Sequence, residues 1–420
     1  FSPFKETNFI SIDGFGDFAS TSAGYYDGKK LINCFEVLFP HSLGIFYTAI
    51  TQYLGFKNYG DEYKVMGLSS YGKPLFKHEL SKVMFNTKDG YELNLDYFVH
   101  QNESIIDDDQ NGQLKYKNLY SNKLIKLLGP ERQLDDKINE RHINIAKSAQ
   151  EVFEKIFFKL LNDLYEKYEI KNLTLSGGCT MNSVANGKIL KNTPFENIYI
   201  SPNPGDAGGS IGSALLFHSN NNYKIEKEIN YAYLGKKYLN NEIESILIEK
   251  KLKDNFFVQK LPEEELLEII VQKLCNSKII GWFQGKMEWG ARALGNRSIL
   301  ADARNPKIKD IINSKIKRRE SFRPFAPAIL REHTKNWFEI DKEVPYMTEV
   351  YNILKNKRND LPGITHVDGT GRLQTVTKLN NPRFYKLLKK FYEKTKIPII
   401  LNTSFNENEP IVESPEQAIN

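Results

Sequence analysis

Between His142 and Leu164 the apolar residues fall three and four apart: Ile145, Ala149, Val152, Phe153, Ile156, Phe157, Leu160, Leu161 and Leu164. That spacing predicts a long amphipathic helix with a wide apolar stripe. Upstream the pattern is different. The stretch NFISIDGFGDFASTSAGYYDGKKLINCFEVLF alternates apolar with small or polar residues and carries turn signals at Asp13-Gly14 and Asp27-Gly28. It predicts a meander of strands joined by tight turns. HSLGIFYTAITQYLGF follows at helical spacing and stops at Gly55. From Lys73 to Glu140 the chain is polar and irregular, and SIIDDDQNGQLKYKNLYSN reads as a surface excursion.

After the long helix one plan occurs twice. Leu173 to Leu175 form a short buried strand, Gly177-Gly178 a tight turn, and a helix follows. ENIYISPNPGDAGGSIGSALLFH repeats strand, glycine-rich loop and helix. Two such units in succession argue for an α/β domain. The polar, unpatterned SNNNYKIEKEIN near residues 219–230 places a domain boundary there. The second half opens with helices near residues 240–250 and 263–276. The stretch KIIGWFQG reads as a buried strand, followed by FRPFAPAIL, LQTVTKL, a helix near residues 382–394 and the strand IPIILNTSF. That mixture is α/β or α+β.

Length and composition narrow the class. At 420 residues the chain exceeds one ordinary core and is expected to form two or three domains. Hydrophobic residues make up 40% and charged residues 26%, the balance of a globular protein. No apolar run approaches the roughly 18–20 residues of a membrane span. The opening FSPFKETNFISIDG lacks an initiator Met and a basic-then-apolar signal pattern, so a chain truncated at its N-terminus is expected. Cys34, Cys179 and Cys275 lie far apart and form no metal or disulfide pattern, which points to a reducing cytoplasm. A net charge of +6 allows an anionic ligand without requiring nucleic acid.

Several loops carry candidate chemistry. Gly177-Gly178, between strand and helix, is either a structural turn or a backbone cradle for an anion, with Asn182 and Asn186 one helical turn apart beyond it. Asp206, among small residues before a helix, serves as a cap or a metal ligand, and Asp13 has the same ambiguity in its hairpin turn. The seven histidines are scattered, with no HxxxH or HxH pair. In GWFQGKMEWGARALGNRSILAD, Arg292 and Arg297 sit in a frame of small residues, as solvated surface cations or as ligands for phosphate or carboxylate. SKIKRRESFRPFAP follows, where Lys315, Lys317 and Arg319 would share one face of a strand and Arg323 precedes a rigid apolar turn. Arg372 lies in GTGRLQTV, and Asn402, Thr403, Ser404 and Asn406 end a buried strand. Arginines, a lysine and Ser/Asn donors are a usual complement for polyphosphate. Basic residues without interleaved exposed aromatics argue against single-stranded nucleic acid.

Taken together, SGGCTMNSVANGKI, NPGDAGGSIGSAL, EWGARALGNRSILADAR, IKRRESFRPFAPAIL and LNTSFNENEPIVESPEQAI resemble the NodU/CmcH family of O-carbamoyltransferases, in the family's order and across nearly the whole chain. The resemblance implies an ASKHA-type domain over residues 1–225, like that of the universal tRNA threonylcarbamoyl-transfer protein, and a YrdC-like domain over residues 226–420. It implies that the second domain makes carbamoyl adenylate from carbamoyl phosphate and ATP, and that the first passes the carbamoyl group to a hydroxyl of a sugar or natural product. Residue by residue, Arg292, Lys317, Arg323, Arg372 and Ser404 would hold carbamoyl phosphate and nucleotide phosphates, with Asn402 and Asn406 as neighbours. Gly177, Gly178 and Asn182 would hold the adenylate, and Asp13 and Asp206 would ligate a divalent ion of the iron or magnesium class. In the family an HxxxH-type metal pair lies just before the SPF stretch, inside which this chain begins. The expectation is a fragment that keeps adenylate synthesis and loses transfer. Two other readings compete: an ASKHA-type sugar kinase, which would release ADP, and a non-enzymatic binding protein that kept a nucleotide fold.

Overall fold

The computed structural model describes residues 2–104, 106–108, 114–221 and 232–420. Contacts divide the chain into two units, Phe1–Glu228 and Ile229–Asn420. The boundary expected near residues 219–230 falls largely on residues 222–231, outside the described residues, as do residues 109–113 of the expected surface excursion.

The first unit begins with the predicted meander. Strands β1 (Thr7–Ile12), β2 (Ala19–Tyr26) and β3 (Leu31–Leu38) pair antiparallel, turning at Asp27-Gly28 between the last two. Helix α1 (Leu43–Tyr53) follows, its first turn capped by Ser42 Oγ, which accepts from the Ile45 N–H at 3.1 Å. The segment from Lys73 to Glu140 is more ordered than its polarity indicated. After α2 (Glu62–Leu68) come α3 (Lys77–Val83), the hairpin β4 (Met84–Thr87) and β5 (Gly90–Leu93), a second small hairpin of β6 (Ile106–Asp108) and β7 (Leu114–Tyr116), and α4 (Asn122–Leu128). Tyr91 anchors the first hairpin: its buried hydroxyl receives the Leu43 N–H at 3.0 Å and bonds Thr21 Oγ1 at 2.9 Å. Leu119, Tyr120, Leu124 and Leu128 are buried as well, so this segment contributes to the core rather than lying over it.

Helix α5 (Glu140–Tyr168) is the predicted long helix, and all nine residues of its stripe are buried. A capping box starts it: Asn139 Oδ1 accepts from the His142 N–H and His142 Nδ1 from the Asn139 N–H. The helix carries the chain back so that β8 (Asn172–Ser176) joins β1 in parallel, and β9 (Asn197–Ile200) joins β8 in parallel. Short helices α6 (Ser183–Asn186) and α7 (Ile189–Asn192) lie between them, and α8 (Asp206–Asn220) follows. The sheet order is β3-β2-β1-β8-β9.

The second unit contains α9 (Asn240–Glu249), α10 (Glu263–Cys275), and strands β10 (Ile280–Phe283) and β11 (Arg297–Ala301). Then come α11 (Ile308–Ile311), β12 (Ala326–Leu330), β13 (Glu349–Asn352), β14 (Thr370–Val376), α12 (Pro382–Thr395), β15 (Ile399–Ser404) and α13 (Pro415–Ile419). The six strands order as β10-β11-β15-β12-β14-β13, antiparallel except for β12 with β14. Period-two alternation separates two cores. Leu300, Ala328, Leu330 and Ile400 face the α10 and α12 residues Leu267, Val271, Phe384, Leu387 and Phe391. Ala301, Ile329, Ile399 and Leu401 pack with Ile308, Ile312, Phe325 and Phe338 on the other side. β10 was expected to be buried. It is an edge strand, with only Trp282 of its residues deeply covered.

One expectation fails outright. Lys315, Lys317 and Arg319 do not share a strand face: the chain continues from α11 through a π-helical turn, Ile312–Ile316. Ile308, Ile312 and Ile316 recur every four residues and all pack into the core, so apolar spacing overrides the charge alternation. Lys315 is exposed, Lys317 is buried and Arg319 lies between. No helix among the described residues is long and apolar enough to cross a membrane.

The packing of α5 gives a direct check. Leu161 is fully buried, and Leu161→Ala is expected to lower stability by about 2–5 kcal/mol. Lys155→Ala, on the exposed face of the same helix, is expected to change it by less than about 0.5 kcal/mol. Urea unfolding of the two variants reads the difference, and equal losses would contradict the assigned helix face.

Candidate functional site

In the first unit the geometry centres on the end of β1. Gly177 has φ of +89°, and a Cβ there would run into the Ile12 backbone. Only glycine lets the loop after β8 pass so close to β1. The Gly177 N–H is tied to Pro204 O at 2.7 Å, which joins the two glycine-rich loops. The Gly178 N–H then meets the Asp13 carboxylate, whose Oδ1 also accepts from Gly14 N–H at 2.8 Å. Asp206, at the first position of α8, lies close enough to Asp13 to act on its charge. Burial first, and Asp206 beside it, push the Asp13 carboxyl above the usual carboxylate range despite the backbone donors. The two aspartates singled out in the sequence are therefore brought together.

Hard oxygen donors suit a divalent ion, and two neighbouring carboxylates fit as part of such a site. Among the described residues no group of three His, Cys, Asp or Glu side chains surrounds a common point. Asn182 is placed differently from Gly177 and Gly178. Its Oδ1 caps α6 by accepting from Ala185 N–H at 3.1 Å and also accepts from Gln150 Nε2 at 3.1 Å, while its Nδ2 donates to Gln150 Oε1 at 2.9 Å. Its amide is thus engaged inside the fold, in a buried network with Tyr47 and Glu154.

In the second unit the stretch between β10 and β11 resolves the paired arginines. Arg297 is completely buried. Its guanidinium donates to the carbonyls of Gln284 at 2.7 Å, Asn296 at 3.1 Å, Lys236 at 3.3 Å and Gly285 at 3.4 Å, and stacks 3.6 Å from the Phe283 ring centroid. Arg297 fixes the loop rather than facing a ligand or solvent. Arg292 is half-buried and lies close enough to Arg372 to act on its charge, as do Arg319 and Arg323. Burial and these three guanidinium groups hold Arg372 well below the ordinary arginine range. A guanidinium keeps its proton in proteins, so Arg372 stays charged among its neighbours, of which Arg323 pairs with Glu320 at 3.5 Å, and a bound anion would offset the remaining cost.

Lys317 joins the same group and is almost inaccessible. Its ammonium donates to the carbonyl and hydroxyl of Ser404 and, at 2.7 Å each, to Asn406 O and Oδ1. Ser404 Oγ donates to Asn406 Oδ1 at 2.6 Å. Burial, then Arg319 and Arg323, push Lys317 down to about 7, opposed by Glu409. Asn402 is fully buried: its Nδ2 reaches Gln374 Oε1 at 2.8 Å and Ala293 O at 3.2 Å, beneath the Arg292 loop.

Arg319 was not singled out as a ligand in the sequence, because its charge was assigned to a strand face. Its Nε donates to Asn313 Oδ1 at 2.7 Å and its guanidinium stacks 4.7 Å from the Phe325 centroid, beside Arg323. Glu288 was missed entirely. The only sequence signal was a lone acid at the edge of a small-residue run.

Fold and site together define a two-unit α/β protein with a carboxylate pair in one unit and a cluster of cations in the other. Residues 1–215 match the family model described as carbamoyltransferase N-terminus, and residues 271–420 match carbamoyltransferase C-terminus. The chain belongs to the carbamoyltransferase family. It is similar to an uncharacterised protein of Synechocystis, at 38% identity over 99% of this chain and 70% of that protein. It is similar to nodulation protein NolO of Bradyrhizobium diazoefficiens, at 35% over 100% of this chain and 73% of that protein. With nodulation protein U of Azorhizobium caulinodans it shares 31% identity over 56% of this chain and 40% of that protein. Membership makes the protein a transferase with a carbamoyl donor and an acceptor as substrates.

The Lys317 environment yields a pH prediction. In the free protein its charge is present below about 7 and lost as pH rises through that value. Sulfate stays a dianion across this window, so its affinity should fall by up to about tenfold from pH 6 to pH 8, by simple proton linkage. Calorimetric titration of wild type and Lys317→Met tests this: the variant should bind weakly and without that slope, and an equal slope in both would contradict the assignment.

Proposed function

We propose that the protein is an ATP-dependent O-carbamoyltransferase that works through carbamoyl adenylate. The observation that carries this reading is the grouping of Arg292, Arg319 and Arg323 around Arg372, with Lys317 beside Arg319 and Arg323, a concentration of cations that suits a polyanion. It lies within the region matched by the C-terminal family model. Carbamoyl phosphate and ATP together supply that charge. By balance, one carbamoyl phosphate, one ATP and one water give carbamoyl adenylate, phosphate and pyrophosphate.

Fixed guanidinium groups neutralise the phosphates, orient the carbamate oxygen toward the α-phosphorus and offset charge on the leaving pyrophosphate. Ser404 and Asn406, tied to Lys317, line the strand end beside them. Attack by the acceptor hydroxyl on the carbamoyl carbon then breaks the bond to AMP, and the hydroxyl proton leaves to a base. The acceptor is a sugar or natural-product hydroxyl. We assign the transfer half to the first unit, where the Gly177-Gly178 loop faces Asp13 and Asp206. A divalent ion of the iron or magnesium class held by those carboxylates would polarise the carbamoyl carbonyl. The antiparallel meander joined to parallel β8 and β9 supports an ASKHA-type first domain, and the mixed six-stranded sheet supports a YrdC-like second one. Three free cysteines fit a reducing, cytoplasmic setting.

Mass spectrometry of products tests the reading. With ATP, carbamoyl phosphate and a panel of hydroxylated acceptors, AMP and pyrophosphate are expected, whereas ADP would indicate a kinase and overturn it. Arg323→Ala should lower AMP formation by at least about a hundredfold, the scale of losing an electrostatic clamp. An unchanged rate would remove Arg323 from the site.

A further inference from the structure

The polypeptide between β10 and β11 has little regular structure, yet it is almost wholly buried from Ala293 onward. Its backbone polar groups must find partners elsewhere. Two opposite charges inside the loop divide them. Arg297 collects carbonyls, as described above. Glu288, also buried, collects N–H groups: a single carboxylate oxygen, Oε1, accepts from Leu294 at 2.6 Å, Asn296 at 2.8 Å and Arg297 at 3.3 Å. The carbonyls of the same turn are held from outside. Leu294 O receives Gln374 Nε2 at 2.9 Å and Tyr233 OH at 2.9 Å, and Ala293 O receives Asn402 Nδ2. Gly295, at φ of +104°, lets the turn press against Phe384 of α12, where a Cβ would not fit.

Arg292 directly precedes this clamped turn. We infer that Glu288 is a positioning residue for anion binding, its carboxylate fixing the turn from which Arg292 reaches the cation cluster. The inference rests on the proposed reading of that cluster as the substrate anion site. Glu288 does not touch the anion. Its other oxygen, Oε2, has no hydrogen-bond partner among the described residues, so its whole bonding capacity in the fold is directed at the turn. Hydrogen bonds to an ionised acceptor are shorter and stronger than neutral ones. A withdrawn acceptor would leave three buried N–H groups poorly paired and let Arg292 shift.

Steady-state kinetics of Glu288→Asp, Glu288→Gln, Arg292→Ala and Glu288→Asp with Arg292→Ala test this. KM for carbamoyl phosphate is read because it does not depend on the fraction of folded enzyme. Aspartate keeps the charge but withdraws it by one methylene, and should raise KM by about tenfold, as expected for an ångström-scale misplacement. Glutamine keeps an acceptor at the same reach and should stay within about threefold of wild type, since only the charge assistance is lost. The double variant should be no worse than Arg292→Ala alone, because both changes act through one side chain. A wild-type KM in Glu288→Asp, with KM raised in Arg292→Ala, would overturn the positioning role and leave the anion site standing. A wild-type KM in Arg292→Ala would instead bring down the reading of the cluster itself.

Discussion

The second unit is organised around the difficulty of keeping like charges together. Arg292, Arg319 and Arg323 each act on the charge of Arg372, and Lys317 lies buried near Arg319 and Arg323. Nothing in the hydrophobic core requires this arrangement, and repulsion in a partly desolvated setting opposes it. Three of the five cations are held by something rigid. Arg372 projects from β14, Arg319 is bonded to buried Asn313 and stacked on Phe325, and Lys317 is locked to the end of β15 through Ser404 and Asn406. The sheet, packed on both faces, supplies the stiffness. Strain of this kind at a site is a reason to look for the ligand that relieves it.

The two units use related means for different charges. In the first, a positive-φ glycine lets a loop close on β1 and turns a backbone N–H toward a carboxylate. In the second, a buried acid and a buried arginine consume the backbone of an irregular loop, so that it is as fixed as a strand. Both devices place functional side chains at strand ends, on loops that sheets hold in position. Membership of the carbamoyltransferase family gives the protein a carbamoyl donor and an acceptor as substrates.

Much of this was legible in the sequence, for definable reasons. The α5 stripe, the meander and the strand–glycine–helix repeats are periodic patterns that local packing enforces, and they were read correctly. Asp13 and Asp206 were paired only through the family resemblance, since each on its own read equally well as a cap or a hairpin turn. What escaped depended on partners distant in sequence. Asn182 is engaged by Gln150, on a different helix. Arg297 and Glu288 bond to backbone groups, which leave no trace in residue identity. The charge alternation from Lys315 to Arg319 misled because the isoleucines at 308, 312 and 316 set the true period. The β4–β5 hairpin carried its Asp89-Gly90 turn signal in plain view, but the polar surroundings obscured it.

Adenylation at the cation cluster is the step on which the proposed function depends. Exchange of labelled pyrophosphate into ATP measures that step without an acceptor and without the transfer half. Label should enter ATP when carbamoyl phosphate is present and stay out when it is absent. Exchange independent of carbamoyl phosphate, or none with both substrates at saturation, would contradict the account.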